Sequence, residues 1–381
     1  MTTTEKWPGR VALMVGHCAG MVDLVALPVW VGALISFYGF DPQQAGGLVS
    51  LFLIGAVAAS LYFAPRFNRL NRRLVAALGF GGAALAFGMA SLQTCFAAMA
   101  ICHAAAGLAA GSALSVTHGT IGRAANPHRM FAMVGLALGI FAIGFMGATP
   151  NLVAALGGAV LFKVFAGVMA VAAIVSALLF PLPDHEQGTE FDIAHPRLSG
   201  AVWVGMIGVG LMGVNQAMVF SFFERIGADR GYGVETIAII LVAVGFVNLI
   251  APPLAVFLER RIGAQRVVMT GPAVQAVLAL VITTVVAFPA YAGAGSVFVF
   301  VMIFTHTFAF GLLSRLDPSG RALAATPAML MIGAAVGPIL GGTLVKFSGY
   351  PAIGVAVVIC ASLAIVSFSR ARLQPVDAVT P

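Results

Sequence analysis

The stretch "LPDHEQGTEFDIAHPRLS", residues 182–199, decides how the chain is read. It is a long, polar, proline-bearing connector in a sequence otherwise built of apolar runs with short links. A membrane-crossing helix needs about 20 mostly apolar residues. By that measure six runs precede the connector, at roughly 10–37, 44–65, 73–91, 94–121, 129–150 and 155–181. Six more follow, at roughly 200–225, 234–257, 266–288, 290–314, 322–345 and 350–369. The chain therefore reads as an all-α polytopic membrane protein with two six-helix halves, 1–181 and 200–381, joined by 182–199.

Composition agrees. The 381 residues are 60% hydrophobic and 9% charged, with a mean hydropathy of +1.03, whereas soluble domains carry roughly 25% charged residues. So few charges cannot clothe a water-facing surface, and the lipid bilayer is the expected solvent. The net charge of +7 is scattered in short clusters, which carry topology rather than a nucleic-acid patch. The four cysteines (Cys18, Cys95, Cys102, Cys360) form no CxxC pair and no zinc spacing. The first run is too long for a cleaved signal peptide and reads as a span.

The basic residues test the count. Lys6, Arg10, Arg66, Arg69, Arg72, Arg73, Arg123, Arg129, Arg197, Arg260, Arg261, Arg266, Arg315, Arg321, Arg370 and Arg372 all fall on one side of a twelve-span chain. Only Lys163, Arg225, Arg230 and Lys346 do not. The positive-inside rule then puts both termini and the connector in the cytoplasm, and the cell's inner (plasma) membrane is the expected location. "APRFNRLNRRLV" (64–75) after run two is echoed by "VFLERRIGAQRVV" (256–268) after run eight, and repeated six-helix halves are a transporter construction.

At this point the sequence resembles the major facilitator superfamily. The family's loop between helices two and three reads like G-x-x-x-D-R-x-G-R-R. This chain keeps Arg69, Arg72 and Arg73, with Asn68 near the place of the acid and Asn71 near that of the glycine. The copy after helix eight keeps Glu259, Arg260, Gly263 and Arg266. An R-x-x-x-G in helix four is matched by His103 to Gly107, with histidine for arginine. The antiporter-type G-x-x-x-G-P-x-x-G-G is absent from helix five but present in helix eleven, as Gly333, Gly337, Pro338, Gly341 and Gly342. The resemblance implies two pseudo-symmetric bundles, a cavity lined by helices one, four, seven and ten, and conformational roles for Arg69, Arg72, Arg73, Glu259, Arg260, Gly337 and Pro338.

Of thirteen acids, Asp23 alone falls deep in a run. A central aspartate costs roughly 2.5–3.5 kcal/mol on insertion scales, less when protonated or facing a wet cavity. Proton or cation handling is the functional reading, and a structural hydrogen bond to a neighbouring hydroxyl or histidine the plainer one. Asp23 closes the octapeptide "GHCAGMVD" (16–23), where His17, Cys18 and Met21 are ligands, solute contacts or packing. At about 100° per residue, Asp23 shares a stripe with Gly16, Gly20 and Leu27, while His17, Met21 and Leu24 form a separate one. Gly16 and Gly20 permit close helix approach.

Other polar residues fall inside spans. His103 is a proton relay or a histidine bonded to a carbonyl. His306 is equally open, with Thr305 and Thr307 beside it to contact solute or back-bond their own helix. Asn215 and Gln216 contact solute or glue helices together. Glu224 and Arg225 read as a surface or gate ion pair, and Lys163 as a residue snorkelling to the interface. Phe220, Phe223, Phe304 and Phe308 form aromatic walls or ordinary packing. The expected site is thus Asp23, His103 and His306 for proton coupling, with His17, Met21, Asn215, Gln216 and Thr305 for solute.

The expectation is a secondary transporter, not an enzyme, coupled to protons and working by alternating access as a monomer, with no cofactor, no bound metal and no nucleic-acid partner. No arginine lies deep in a span, which favours a small neutral or weakly charged organic solute. A copper importer is one alternative, resting on His17 with Met21, Met302 with His306, and Cys102, since soft ligands suit Cu(I). A non-transporting receptor or assembly factor is the other.

Overall fold

The computed structural model describes residues 4, 6–124, 126–181, 198–259, 261–317 and 321–371, with the side chains of 127–128, 321 and 323–328 left aside. Of the connector, only Leu198 and Ser199 are among them, and Arg197, Arg260 and Arg372 lie outside. Thirteen α-helices are described: α1 (Trp7–Gly20), α2 (Val22–Tyr38), α3 (Pro42–Phe63), α4 (Arg72–Ala90), α5 (Phe96–Gly122), α6 (Pro127–Leu156), α7 (Ala159–Leu179), α8 (Gly200–Asp229), α9 (Val234–Leu258), α10 (Ala264–Thr284), α11 (Phe288–Leu316), α12 (Arg321–Ser348) and α13 (Tyr350–Arg370). They make twelve spans, because α1 and α2 together form the first. Helices four, seven and ten of the sequence reading are α5, α8 and α11.

Local chemistry sets the helix starts. Asp41 closes a full capping box with Gln44 at the head of α3, and Asn71, Asn126 and Ser199 accept from backbone N–H groups at the heads of α4, α6 and α8. Each cap satisfies a donor that the first turn would otherwise leave open. Large apolar side chains such as Leu78, Leu85, Ile101, Leu178 and Ile239 are exposed, as expected of helices whose outer solvent is lipid.

The first run departs from the expected single helix. It breaks at Met21, whose φ of −109° and ψ of 16° leave the helical region. The single wheel drawn from Gly16 to Leu27 therefore does not hold. On α1, Gly16 lies against Thr117 and Phe80, and Gly20 against Leu114; His17 faces His118. Both expected stripes of α1 thus reach α5, and Asp23 begins a new helix with its own orientation.

Glycine seams hold the spans together. A Cβ on Gly107 would lie 2.0 Å from the Phe52 carbonyl oxygen, and one on Gly111 2.4 Å from the Ala56 Cα, so α3 and α5 touch backbone to backbone. In the second half, Gly333, Gly337 and Gly341 of the helix-eleven motif press α12 onto α8.

The apolar core has an uneven plan. Call the side bearing the start of α1 and the end of α13 the basic side, and the other the far side. One continuous buried cluster joins the halves towards the far side, from Trp30, Phe52 and Phe165 to Phe222, Phe223 and Tyr291. On the basic side it is replaced by two separate clusters. One holds Leu13, Phe67, Ile121 and Phe180 of the first half, and the other holds Val202, Met206, Leu312 and Phe368 of the second. The bundles are fused at one end and splayed at the other.

Candidate functional site

Asp23 lies in the first turn of α2, next to the break at Met21. The residue is buried, and its Oδ1 has no hydrogen-bond partner. The N–H groups of Asp23 and Leu24 lie against the carboxyl; as first-turn donors of a new helix, they have no carbonyl of their own helix to meet. Broken helices in membranes are tolerated where they are buried in protein or line a water-filled cavity.

The neighbouring α8 brings its polar residues to the same depth. α2 and α8 run parallel and meet where Gly32 faces Glu224. At about 1.5 Å per residue, Asp23 lies about 13 Å below that contact and Gln216 about 12 Å below it. Asn215 turns away: fully buried, its Nδ2 donates to Gln275 of α10 at 3.4 Å. Gln275 also reaches Gln216 Oε1 at 3.5 Å. Asn215 thus joins α8 to α10 through its Nδ2 while its Oδ1 is buried without a partner, and Gln216 is half-buried.

His103 is bonded at both ring nitrogens. Trp30 Nε1 can only donate, and it meets His103 Nε2 at 3.1 Å. The Met99 carbonyl can only accept, and it meets Nδ1 at 2.7 Å. Only the neutral imidazole with its proton on Nδ1 satisfies both, and Phe87 and Phe162 pack around the ring. In this conformation both ring nitrogens are occupied, the arrangement of the structural histidine of the two readings. Thr305 is likewise turned from solute, buried against Gly271 of α10. His306 bonds the Met302 carbonyl through Nδ1 at 3.0 Å and packs on Phe310. Met302 lies buried in the second-half core, and Lys163 is exposed one turn from the far end of α7.

One residue escaped the sequence reading, and another lacks the partner expected of it. His118 of α5 sits with Nε2 at 2.9 Å from His17 Nδ1, so His17 has a partner 101 residues away. Among the described residues no three His, Cys, Asp or Glu side chains converge as a metal site. Glu224 is the other. It does not pair with Arg225, which is held by Asp229 at 2.7 Å and by Ser36 of α2 at 2.8 Å. Glu224 instead lies in the α2–α8 seam with Oε2 buried and unpartnered.

The two halves are latched on the far side. Lys346 of α12 bridges Asp41 at 2.9 Å and reaches Gln43 at 3.2 Å, Gln43 donates to Thr343, and the Ile339 N–H donates to Ser50 Oγ. Burial pushes the Asp41 carboxyl up, but the Gln44 N–H and the Lys346 ammonium outweigh it and hold the carboxyl below its usual range. The helix-eleven motif forms the bed of this latch, with the Pro338 carbonyl against Gly46 and Gly342 against the Pro42 carbonyl.

The basic connectors stay within their own halves. Arg73 donates twice to the Phe180 carbonyl at the end of α7. Arg72 and Arg123 flank the Phe67 ring, with Arg123 also on Asn68. Arg69 ends the short 3-10 turn Ala64–Arg69. Glu259 pairs with Arg315 at 3.8 Å, while Arg260 lies outside the described residues. Among the described residues, the hydrogen bonds and ion pairs that join the halves all lie on the far side.

A twelve-span protein with two bundles fused on one side, splayed on the other and carrying a buried acid at a helix break is a secondary transporter. The chain belongs to the Major Facilitator Superfamily, whose family model matches residues 12–319. Its fold is also that of the nucleoside transporter NupG. One crystal structure of NupG aligns with a TM-score of 0.73 at 16% identity, over 98% of this chain and all of that one. An aspartate-to-alanine mutant of NupG aligns with a TM-score of 0.75, also at 16% identity, over 94% of this chain and 98% of that one. No curated protein matches by sequence.

Proposed function

We propose that this protein carries a small neutral or weakly charged organic solute across the inner membrane, driven by protons, by rocking residues 1–181 against 200–381 about the connector 182–199. The observation that carries this is the uneven core, single on the far side and divided on the basic side. With the basic side in the cytoplasm, the conformation is the inward-facing one of an alternating-access cycle.

Asp23 is the coupling residue of this reading, because it combines burial, a missing partner and a place at the helix break. Gln216 at the same depth, with His306 and the His17–His118 pair, supplies polar contacts from the other lining helices. Nucleosides are the first solutes to test. They are uncharged, which suits a site without a deep arginine, and the structural neighbours are described as nucleoside transporters.

The test is uptake into proteoliposomes of purified protein, with radiolabelled uridine and adenosine, under an inward proton gradient. Wild-type protein accumulates the solute, while Asp23→Asn loses accumulation but keeps counterflow. Flux of neither nucleoside removes that substrate class. Gradient-driven accumulation unchanged in Asp23→Asn removes Asp23 from the coupling.

A further inference from the structure

Glu224 has a setting that nothing in the transport reading uses. It lies on α8 five residues before the far end of that helix. A Cβ built on Gly32 of α2 would fall 1.7 Å from Glu224 Oε2 and 2.7 Å from Cδ. The carboxyl thus occupies the space a side chain at position 32 would need, in the seam where the two halves dock. Its Oε2 is buried with no hydrogen-bond partner.

Of the charged and titratable groups around it, Arg225, Asp229, Tyr291 and Tyr350 are engaged elsewhere. On its own helix, Arg225 goes to Ser36 and Asp229. Asp229 is taken by Arg225 and by the Tyr350 hydroxyl of α13. From α11 comes Tyr291, whose hydroxyl donates to the Phe223 carbonyl. Arg230, six residues on and just past the end of α8, lies 5.6 Å over the Tyr291 ring with its Nη1 buried and without a hydrogen-bond partner, and it forms no ion pair with Glu224. From α2 come Gly32 and Ser36, neither of them charged. An ionised carboxylate in the closed seam would be a largely buried charge held in no ion pair, which is costly; a neutral carboxyl costs less.

We propose that Glu224 is a proton-binding site built into the far-side gate, and that closing the gate takes up one proton on this carboxylate. When the seam opens, far-side water reaches the carboxylate and the proton can leave. Closure and protonation are then linked, and each favours the other by the same factor. A single linked proton changes the closure constant by up to about tenfold per pH unit. The proposal rests on the alternating-access reading but not on Asp23 or on the identity of the solute.

The experiment measures gate distance in the full chain in lipid nanodiscs. Spin labels go on the far-side loops at Leu92→Cys and Val286→Cys, both exposed and one from each half, in a background with the native cysteines replaced. Between pH 5 and 9 the short-distance, closed population should fall as pH rises. Glu224→Gln should stay closed throughout, and Glu224→Leu serves the same purpose if the glutamine variant does not fold. Asp23→Asn should keep the wild-type pH dependence. Wild-type dependence surviving in both Glu224 variants, or a wild-type gate indifferent to pH, overturns the proposal. If no open form appears in wild-type protein or in Gly46→Ala, described below, the alternating-access reading fails and takes the proposal with it.

Discussion

Gly46→Ala is the sharpest perturbation the structure offers. A Cβ at Gly46 would sit 2.1 Å from the Pro338 carbonyl oxygen and 2.7 Å from its carbon, where an ordinary contact is about 3.4 Å or more. The obstacle is helix backbone, so no side chain can rotate out of the way. Because α3 and α12 belong to different halves, the overlap is relieved by parting them, which opens the far side. Overpacking of this kind costs about 1–3 kcal/mol. At about 1.4 kcal/mol per factor of ten, the closed form should lose roughly 5- to 150-fold in population relative to the open one. The label pair at positions 92 and 286 reads this as a shift to longer distances, and gradient-driven uptake should fall with it. Gly47→Ala is the built-in control, since a Cβ there meets only the Ile339 side-chain tip at 3.8 Å. If Gly46→Ala matches wild type in both distance and uptake, the motif does not form the closed gate.

Two further outcomes follow from the site. His103→Phe strands the buried Trp30 N–H, which should cost about 1–3 kcal/mol of stability and lower the melting temperature of detergent-solubilised protein. The pH profile of transport should stay unchanged, and a moved profile would return His103 to the coupling machinery. Lys346→Met removes the Asp41 bridge, and because both side chains are about one-third exposed (36% and 35%) the gate should lose only about 0–1 kcal/mol. Since the Asp41 carboxyl is held below its usual range, the bridge is present above the ordinary carboxylate pKa of about 3.9 and is lost as pH falls through the lowered value. The factor by which Lys346→Met lowers the closure constant, read with the same labels, should therefore be equal at pH 6 and pH 8.

What the sequence made legible is what lipid enforces. The twelve spans follow from run length and arginine placement, because both are one-dimensional quantities. Asp23 stands out in the sequence for the same reason, as the one acid deep in an apolar run. The break beside it was not, because Met21 carries no proline and its backbone angles are a tertiary outcome. His103 was placed in the right span, but its role depends on Trp30, 73 residues away. His17 and His118 likewise meet only after folding.

Glu224 shows a different failure, one that helix geometry could have prevented. Its sequence neighbour Arg225 suggested an ion pair, yet consecutive helical residues point about 100° apart. The partner of Arg225 is Asp229, four residues on, the spacing at which side chains share a face. Once Arg225 is assigned that way, Glu224 is an acid without a partner near the end of a cavity-lining helix, and its other neighbour must come from across the interface. Gly32 supplies the room. A side chain at 32 would exclude the carboxyl, so the glycine and the glutamate form one feature although 192 positions separate them. The two halves thus meet through matched absences: no side chain at Gly32 for Glu224, none at Gly46 for Pro338, none at Gly342 for Pro42. Such a seam closes tightly without needing strong bonds, which suits the proposed cycle, in which the interface reopens at every turn.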